Sequence, residues 1–394
     1  MKKVGLLLAI EPTAGGSFQY NQMMLEALCA LPNHSYEIVV GYSHTAWKPY
    51  LKDLHCSTIY IPFGFWGRIW AQLLRYTKCS LVLWRRLSVY LHPSVKAFIA
   101  ARCDIWIFPS QDPWSYLVPI PNLVSIHDLM HRYEKRFPEV GNPREYAWRE
   151  WHYSNICQYS SGILVDSNVG RDQVVESYHS DPSKVGVLPF SVPPYLHTSA
   201  SDDEITLARL NIPKKYIFYP AQFWEHKNHK RLLRAVADLK YRTPDIKLVL
   251  AGAPKNAYNT IMQLLHELHL EDQIVVLGYV TDHAMPTLYR YARALVMPTF
   301  FGPTNIPPLE AMTLGCPVAV SNIYGMAEQT DGAALLFDPE SVSEIAEVIY
   351  RLWVDDELCK QLSEKGLRVV GQWTKEDFIN RFEEILTTLS NKIK

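Results

Sequence analysis

Short apolar runs alternate with longer stretches of helical periodicity along most of the chain. Val4–Ile10 is the first run; it leads to Gly15-Gly16 and a helical stretch near Tyr20–Ala30. Glu37–Gly41, Asp104–Phe108, Asn122–Ile126 and Gly162–Val165 repeat the apolar theme. Continuous apolar runs of this length, rather than alternating ones, mark strands buried on both faces. Strand, loop and helix in rotation predict a parallel sheet covered by helices. Leu188 to Pro213 breaks the pattern with Pro and Ser, and Asp202-Asp203-Glu204 adds polarity, so an interdomain linker is expected there. The alternation then restarts at Tyr216–Tyr219, with a helix through Arg231–Leu239. It continues at Ile246–Ala251, Gln273–Leu277, Ala294–Met297 and Pro317–Ser321. Gln372 to Leu389 reads as an amphipathic helix with Trp373, Phe378, Phe382 and Ile385 on one side.

The expected fold is therefore α/β, two tandem Rossmann-like doubly wound domains facing a cleft. Residues 1–195 form the first, 196–371 the second, and 372–394 a terminal helix packing back on the first. A length of 394 residues agrees with two cores rather than one. Ligands of such sheets lie outside the carboxyl ends of the strands. No GxGxxG occurs, which disfavours a nicotinamide enzyme.

Ala294–Met297 runs into Phe301-Gly302-Pro303-Thr304-Asn305-Ile306-Pro307-Pro308-Leu309-Glu310. A strand, a Gly/Pro loop and a helix start offer backbone N–H groups and a positive dipole end, which suits a phosphate. Asn305 is the expected N-cap, with Pro307 and Pro308 in the first turn. Glu310 then lies about one turn from the phosphate position, within reach of a ribose diol.

Composition narrows the classes. The formal net charge of -1 gives no reason to expect nucleic acid. Seven scattered Cys without a CxxC pair read as a reduced, intracellular protein lacking structural zinc. The first apolar run is short and lacks a cleavage pattern, so it reads as a strand rather than a leader. Charge is nonetheless uneven. Leu54 to Cys103 holds no Asp or Glu, but holds Arg68, Arg75, Lys78, Arg85, Arg86, Lys96 and Arg102 among Trp66, Trp70 and Trp84. Stretch 63–102 therefore reads as a basic aromatic surface for an anionic membrane; the plain alternative is a solvated basic face over buried aromatics.

The second half resembles the donor-binding domain of the retaining glycosyltransferases of family 4, the group 1 transferases of GT-B fold. The matching phrases come in the family's order. They are Tyr219-Pro220-Ala221-Gln222-Phe223-Trp224-Glu225-His226-Lys227-Asn228-His229, Leu248–Gly252, Gly278-Tyr279-Val280 with Leu288-Tyr289, the donor loop, Leu314–Val318 and Asp331–Pro339. Gly15-Gly16, Ser125–Leu129 and Val165-Asp166-Ser167 match more loosely. The resemblance implies a nucleotide-diphosphate sugar donor, a glycan or lipid-linked acceptor and retention of configuration by a front-face mechanism. No cofactor and no metal are expected, and no Asp-x-Asp pair is present.

On the same resemblance Lys227 and His127 are the catalytic candidates. Lys227 would face the leaving phosphate, and His127, followed by Asp128, would stabilise the transition state beside the sugar. Gly15 and Gly16 would let backbone approach the donor. Gln222, Gly302, Thr304, Asn305 and Glu310 complete the donor-binding set. The plain alternatives are an exposed lysine at a helix start, a satisfied loop histidine, a tight turn and a dipole-serving glutamate. Two positions depart from the family pattern: Gly302 stands where a Glu is usual, and Gln222 where an Arg is usual. The loop resembles a bacterial sub-branch handling mannose or deoxyhexoses in surface polysaccharides such as O-antigen or capsule. The expected location is cytoplasmic, peripheral on the cytoplasmic face of the inner membrane. The competing readings are a catalytically impaired nucleotide-sugar-binding partner, or another GT-B enzyme such as a nucleotide-sugar epimerase.

Overall fold

The computed structural model describes residues 1–11, 15–52, 54, 56–62, 69, 80–197 and 203–392. Most of stretch 63–79, including Trp66, Arg68, Trp70, Arg75 and Lys78, lies outside the described residues. The chain divides into two compact units. One comprises Met1–Leu129, Ala147–Phe190 and Lys375–Lys394; the other comprises Met130–Tyr146 and Ser191–Thr374.

The first unit carries seven described strands: β1 (Lys2–Leu8), β2 (Tyr36–Tyr42), β3 (Ser57–Tyr60), β4 (Ile105–Phe108), β5 (Asn122–Ser125), β6 (Gly162–Val165) and β7 (Val185–Val187). All pairings are parallel, in the order β3-β2-β1-β4-β5-β6-β7. The apolar runs anticipated from sequence form the centre of this sheet, where both faces are covered. The first helix starts earlier than its apolar pattern indicates, at Gly16 rather than near Tyr20.

The second unit has six described strands: β8 (Ile217–Pro220), β9 (Leu248–Ala251), β10 (Ile274–Val276), β11 (Ala294–Met297), β12 (Val318–Ser321) and β13 (Ala334–Phe337). They too are parallel, in the order β10-β9-β8-β11-β12-β13. Strand order reverses between β1 and β4 in one sheet and between β8 and β11 in the other. The loops leaving β8 and β11 therefore diverge at the reversal, the place where doubly wound sheets take ligands. Both units thus carry the parallel, helix-covered sheet that the resemblance implies.

Two features differ from the sequence reading in detail. Part of the expected linker is helical: Asp203–Arg209 forms a helix, and Asp203 accepts from Thr287 Oγ1 and Arg290, each at 2.6 Å. The polarity of that stretch serves a bracing contact. The terminal helix runs Lys375–Lys392 and excludes Trp373. Its Phe378, Phe382, Ile385, Leu386 and Leu389 are buried in the first unit. Gly162 opens β6 directly under Leu389, where any Cβ would collide with the leucine side chain. The missing side chain is what lets the helix seat on the sheet.

This packing makes the last helix part of the core. Phe382→Ala should cost about 3–5 kcal/mol in a urea titration, as for other buried aromatics. A loss below about 1 kcal/mol would mean that the helix stabilises little.

Candidate functional site

In the first unit, Gly15 has φ of 65° and caps the helix Gly16–Cys29, accepting from Phe18 N at 2.9 Å and Gln19 N at 3.2 Å. That left-handed backbone suits glycine. One turn on, Tyr20 is buried and bonds Ser125 Oγ at 3.0 Å. His127 stands two residues beyond β5, edge-on to Tyr20 with ring centroids 4.8 Å apart. The structure thus brings His127 and the glycine-capped helix together through Tyr20. His127 Nε2 donates to the Pro109 carbonyl at 2.9 Å, which sets the tautomer and turns Nδ1 into an acceptor. Burial lowers its pKa below the ordinary value, against the opposing pull of Asp128 and the Pro109 carbonyl, so the ring is neutral near pH 7.

In the second unit, the loop after β8 ends in one 3-10 turn, Glu225–Lys227. Asn228 follows with φ of 61° and is buried. Its Nδ2 donates to the carbonyls of Pro298 and Pro339, each at 2.9 Å, and its Oδ1 accepts from Arg231 at 3.2 Å. One carboxamide therefore joins the Lys227 turn to the loops that follow β11 and β13. The Lys227 carbonyl accepts from Tyr219 Oη at 2.9 Å. His229, buried and stacked on Phe223 at 4.7 Å, is pushed down to about 3 by burial and then by the charge of Lys227. Burial and the lysine charge together keep that imidazole neutral.

The turn receives its cap from far away in sequence. Its N-cap residue, Trp224, makes no side-chain cap bond. Glu139 Oε1 accepts instead from Glu225 N at 2.7 Å and from Asn256 Nδ2 at 2.9 Å, and faces His226 Nδ1 at 3.4 Å. Burial opposes ionisation of Glu139, but bonds from His226, from its own backbone and from Asn256 hold it at about 2. His226 in turn stacks on Phe301, centroids 3.8 Å apart, and its carbonyl accepts from Phe300 N at 2.9 Å. Nothing in the sequence flags Glu139, which lies 86 residues from the amide that it caps.

The donor loop after β11 has a conformation of its own. Gly302 has φ of 98°, and a Cβ there would meet Thr304 O at 2.7 Å and Asn305 Nδ2 at 2.9 Å. Asn305 occupies the N-cap position of the helix Ile306–Thr313, but its side chain makes no cap bond. The expected cap is replaced by a different arrangement. Asn305 Nδ2 turns back to Phe301 O at 3.1 Å, while Gln329 bonds both the N–H of Asn305 at 3.0 Å and its carbonyl at 2.7 Å. With that N–H taken and Pro307 and Pro308 lacking one, Ile306 holds the sole amide donor in the helix's first three positions. Thr304 is buried in the same loop.

The two departures from the family pattern are both built in. Gln222 Oε1 accepts from Trp224 Nε1 at 2.9 Å. An arginine, having no acceptor, would leave that indole unpaired. At Gly302 a glutamate would have to adopt a left-handed backbone with no room for its Cβ.

Glu310 is buried, and its two oxygens accept from Tyr195 Oη at 2.7 Å and from Tyr289 Oη. Burial pushes it up to about 7, against the two tyrosine bonds. A carboxylate has about four acceptor sites, so two remain for another donor. Tyr289 falls in a matched phrase; Tyr195 lies in the stretch read as linker and was missed.

Residues 202–369 of the chain match the family model described as glycosyl transferases group 1. Its GT-B architecture recurs in the crystal structure of Anabaena HepE in complex with UDP and glucose. The TM-score is 0.74 at 16% identity, over 98% of this chain and 100% of that one. The chain is 28% identical over 291 residues to O-antigen chain mannosyltransferase B of Escherichia coli, covering 69% of this chain and 75% of the relative. It is 25% identical over 266 residues to the serotype-specific mannosyltransferase WbdA of Escherichia coli; the match spans 64% of this chain but only 31% of WbdA.

The raised pKa of Glu310 has a measurable consequence. Its proton is held more tightly folded than unfolded, so its contribution to stability is full below about pH 4.5, its ordinary value, and is lost as pH rises towards about 7. Urea midpoints of Glu310→Gln should show a shallower loss than wild type across that window. Equal slopes would show that Glu310 is ionised with an ordinary pKa.

Proposed function

We propose that the chain is a metal-independent retaining hexosyltransferase, moving a mannosyl or rhamnosyl-type group from a nucleotide-diphosphate sugar to a glycan or lipid-linked acceptor in bacterial surface polysaccharide synthesis. The observation that carries this reading is the pair of loops at the strand-order reversal of the second sheet: the clamped turn bearing Lys227 and the Gly302–Asn305 donor loop. Cleaving a sugar–phosphate bond leaves added negative charge on the nucleotide. A fixed cation acting on that charge stabilises the transition state more than the bound donor. Lys227 supplies that cation, and Ile306 N–H and the helix dipole supply a smaller part. Glu310 accepts from the ribose hydroxyls at its two open sites. Neutral His127, with Nδ1 as acceptor, takes a hydroxyl of the sugar, and Gly15 and Gly16 admit the diphosphate closely. Gln222, Gly302, Thr304 and Asn305 make a donor pocket with fewer charges than the family pattern. Because both departures are locked into their loops by hydrogen bonding and backbone geometry, they support altered sugar recognition over loss of activity. The O-antigen mannosyltransferase relatives support the substrate class.

Lys227→Ala is the direct test, read as donor hydrolysis and transfer across UDP-, GDP-, dTDP- and ADP-sugars. Turnover should fall about 100–1000-fold with the fold intact. Unchanged turnover would remove Lys227 from the mechanism, and nucleotide binding without hydrolysis or transfer would favour an inactive binding partner.

No helix among the described residues is long and apolar enough to cross a membrane. The helix Leu81–Leu91 buries Leu81, Trp84 and Ser88 on one side. Val82, Leu83, Leu87, Tyr90 and Leu91 are exposed on the other, with Arg86 among them. Arg85, expected as a surface cation, turns inward: its guanidinium donates to Tyr116 O at 3.1 Å and packs over Tyr159. Apolar exposure beside Arg86, in a stretch without acids, supports docking on an anionic bilayer surface. Leu83→Glu with Leu87→Glu should weaken binding to phosphatidylglycerol vesicles at least about tenfold, since each leucine is worth about 1.5–3 kcal/mol when buried. Transfer to a soluble acceptor should persist. Equal vesicle binding by variant and wild type would exclude this helix as the docking face.

A further inference from the structure

The segment Met130–Tyr146 interrupts the first unit's sequence yet belongs to the second unit. Its contacts there fall on the loops that follow β8, β11, β12 and β13. Glu134 accepts from Tyr324 Oη at 3.0 Å. Phe137 packs on Phe300 and Phe301, with centroids 5.1 and 5.5 Å away. Arg136 lies over the Phe300 ring at 4.4 Å and pairs with Glu340. Glu139 sits at the amino end of the Lys227 turn, its side chain only 9% exposed.

From this arrangement we infer that Glu139 is a positioning residue for Lys227: its carboxylate caps the turn Glu225–Lys227 and holds His226 flat against Phe301. The inference rests on the reading that Lys227 faces the leaving phosphate. The first amide of this three-residue turn is satisfied by a charged acceptor rather than by its own N-cap, and its second, longer partner, Asn256 Oδ1 at 3.2 Å, belongs to a carboxamide that Glu139 itself orients. The carboxylate is largely withdrawn from solvent, and its Oε2 is buried with no hydrogen-bond partner. An oxygen left in that state is costly, so the site retains an ionised group in spite of the penalty. Finally, His226 is held at both ends: its ring Nδ1 faces Glu139 at 3.4 Å, and its carbonyl accepts from Phe300 N. The same residue therefore registers the Lys227 turn against the donor loop. Loosening it would displace Lys227 without removing any atom of the proposed catalytic set.

Two measurements test this separately from the transferase reading. Amide hydrogen exchange compares wild type, Glu139→Ala and Glu139→Gln under conditions where all three stay folded. Exchange across 224–228 should rise in the alanine variant, and less in the glutamine variant, whose amide oxygen still accepts from Glu225 N–H. Exchange in the β8–β11 core should not change. Unchanged exchange at 224–228 in Glu139→Ala overturns the inference whatever the catalytic activity proves to be. In the kinetic arm, kcat of Glu139→Ala should fall about 100-fold, the scale of an ångström misplacement, with donor KM little changed and partial recovery in Glu139→Gln. Glu139→Ala added to Lys227→Ala should cost nothing further, because the two act as one unit. A full additional loss in the double variant overturns the positioning role. A wild type inactive on every donor defeats the transferase reading instead, and the exchange result then decides this inference alone.

Discussion

One carboxamide carries much of the second unit's order. Asn228 holds a left-handed backbone at the end of the Lys227 turn, which asparagine tolerates better than most residues. Its two N–H bonds close on carbonyls 70 and 111 residues away. Those carbonyls follow β11 and β13, so three loops at one edge of the sheet share a single buried donor. Each such bond is worth about 0.5–1.5 kcal/mol net, but leaving these buried carbonyls without a partner would cost more. The geometry of the loops, rather than total stability, is what this residue governs.

Around that anchor the charges are few and fixed. His229 is kept neutral by burial and by the charge of Lys227. Glu310 is a buried carboxyl poised near neutrality between two tyrosines. Glu139, by contrast, stays ionised because the chain directs an amide, a carboxamide and an imidazole at it. Three ionisable groups in one unit thus have three different protonation regimes, each traceable to what surrounds the group. The neutral substitutions at 222 and 302 fit the same economy of charge. Gln222 provides an acceptor that the neighbouring indole needs, and Gly302 permits a loop path closed to other residues.

The alternation of apolar runs made the central strands legible, because parallel strands covered on both faces must be apolar throughout. Edge strands were not: Ser57–Tyr60 is largely exposed, and Val185–Val187 is three residues long, so neither carries a run. The donor loop and Lys227 were legible as phrases in a fixed order. What the phrases concealed was who bonds to whom. Asn305 has the composition of a cap, yet its amide is taken by Gln329, 24 residues on, and its side chain turns inward. Arg85 reads as a surface cation but serves a buried carbonyl. Glu139 and Tyr195 act across distances in the chain that no local pattern encodes.

The chain passes from one unit to the other at four places, after Leu129, Tyr146, Phe190 and Thr374. Neither unit is a contiguous piece of sequence. During synthesis, the first sheet's described strands all emerge within the first 190 residues, but the helix that covers β6 and β7 follows only after the whole of the second unit. The second unit, complete once Thr374 has emerged, can close while the first still shows an apolar sheet face. The nascent protein thus passes through a stage in which the unit begun first is the unfinished one, and the helix Lys375–Lys392 acts as the latch.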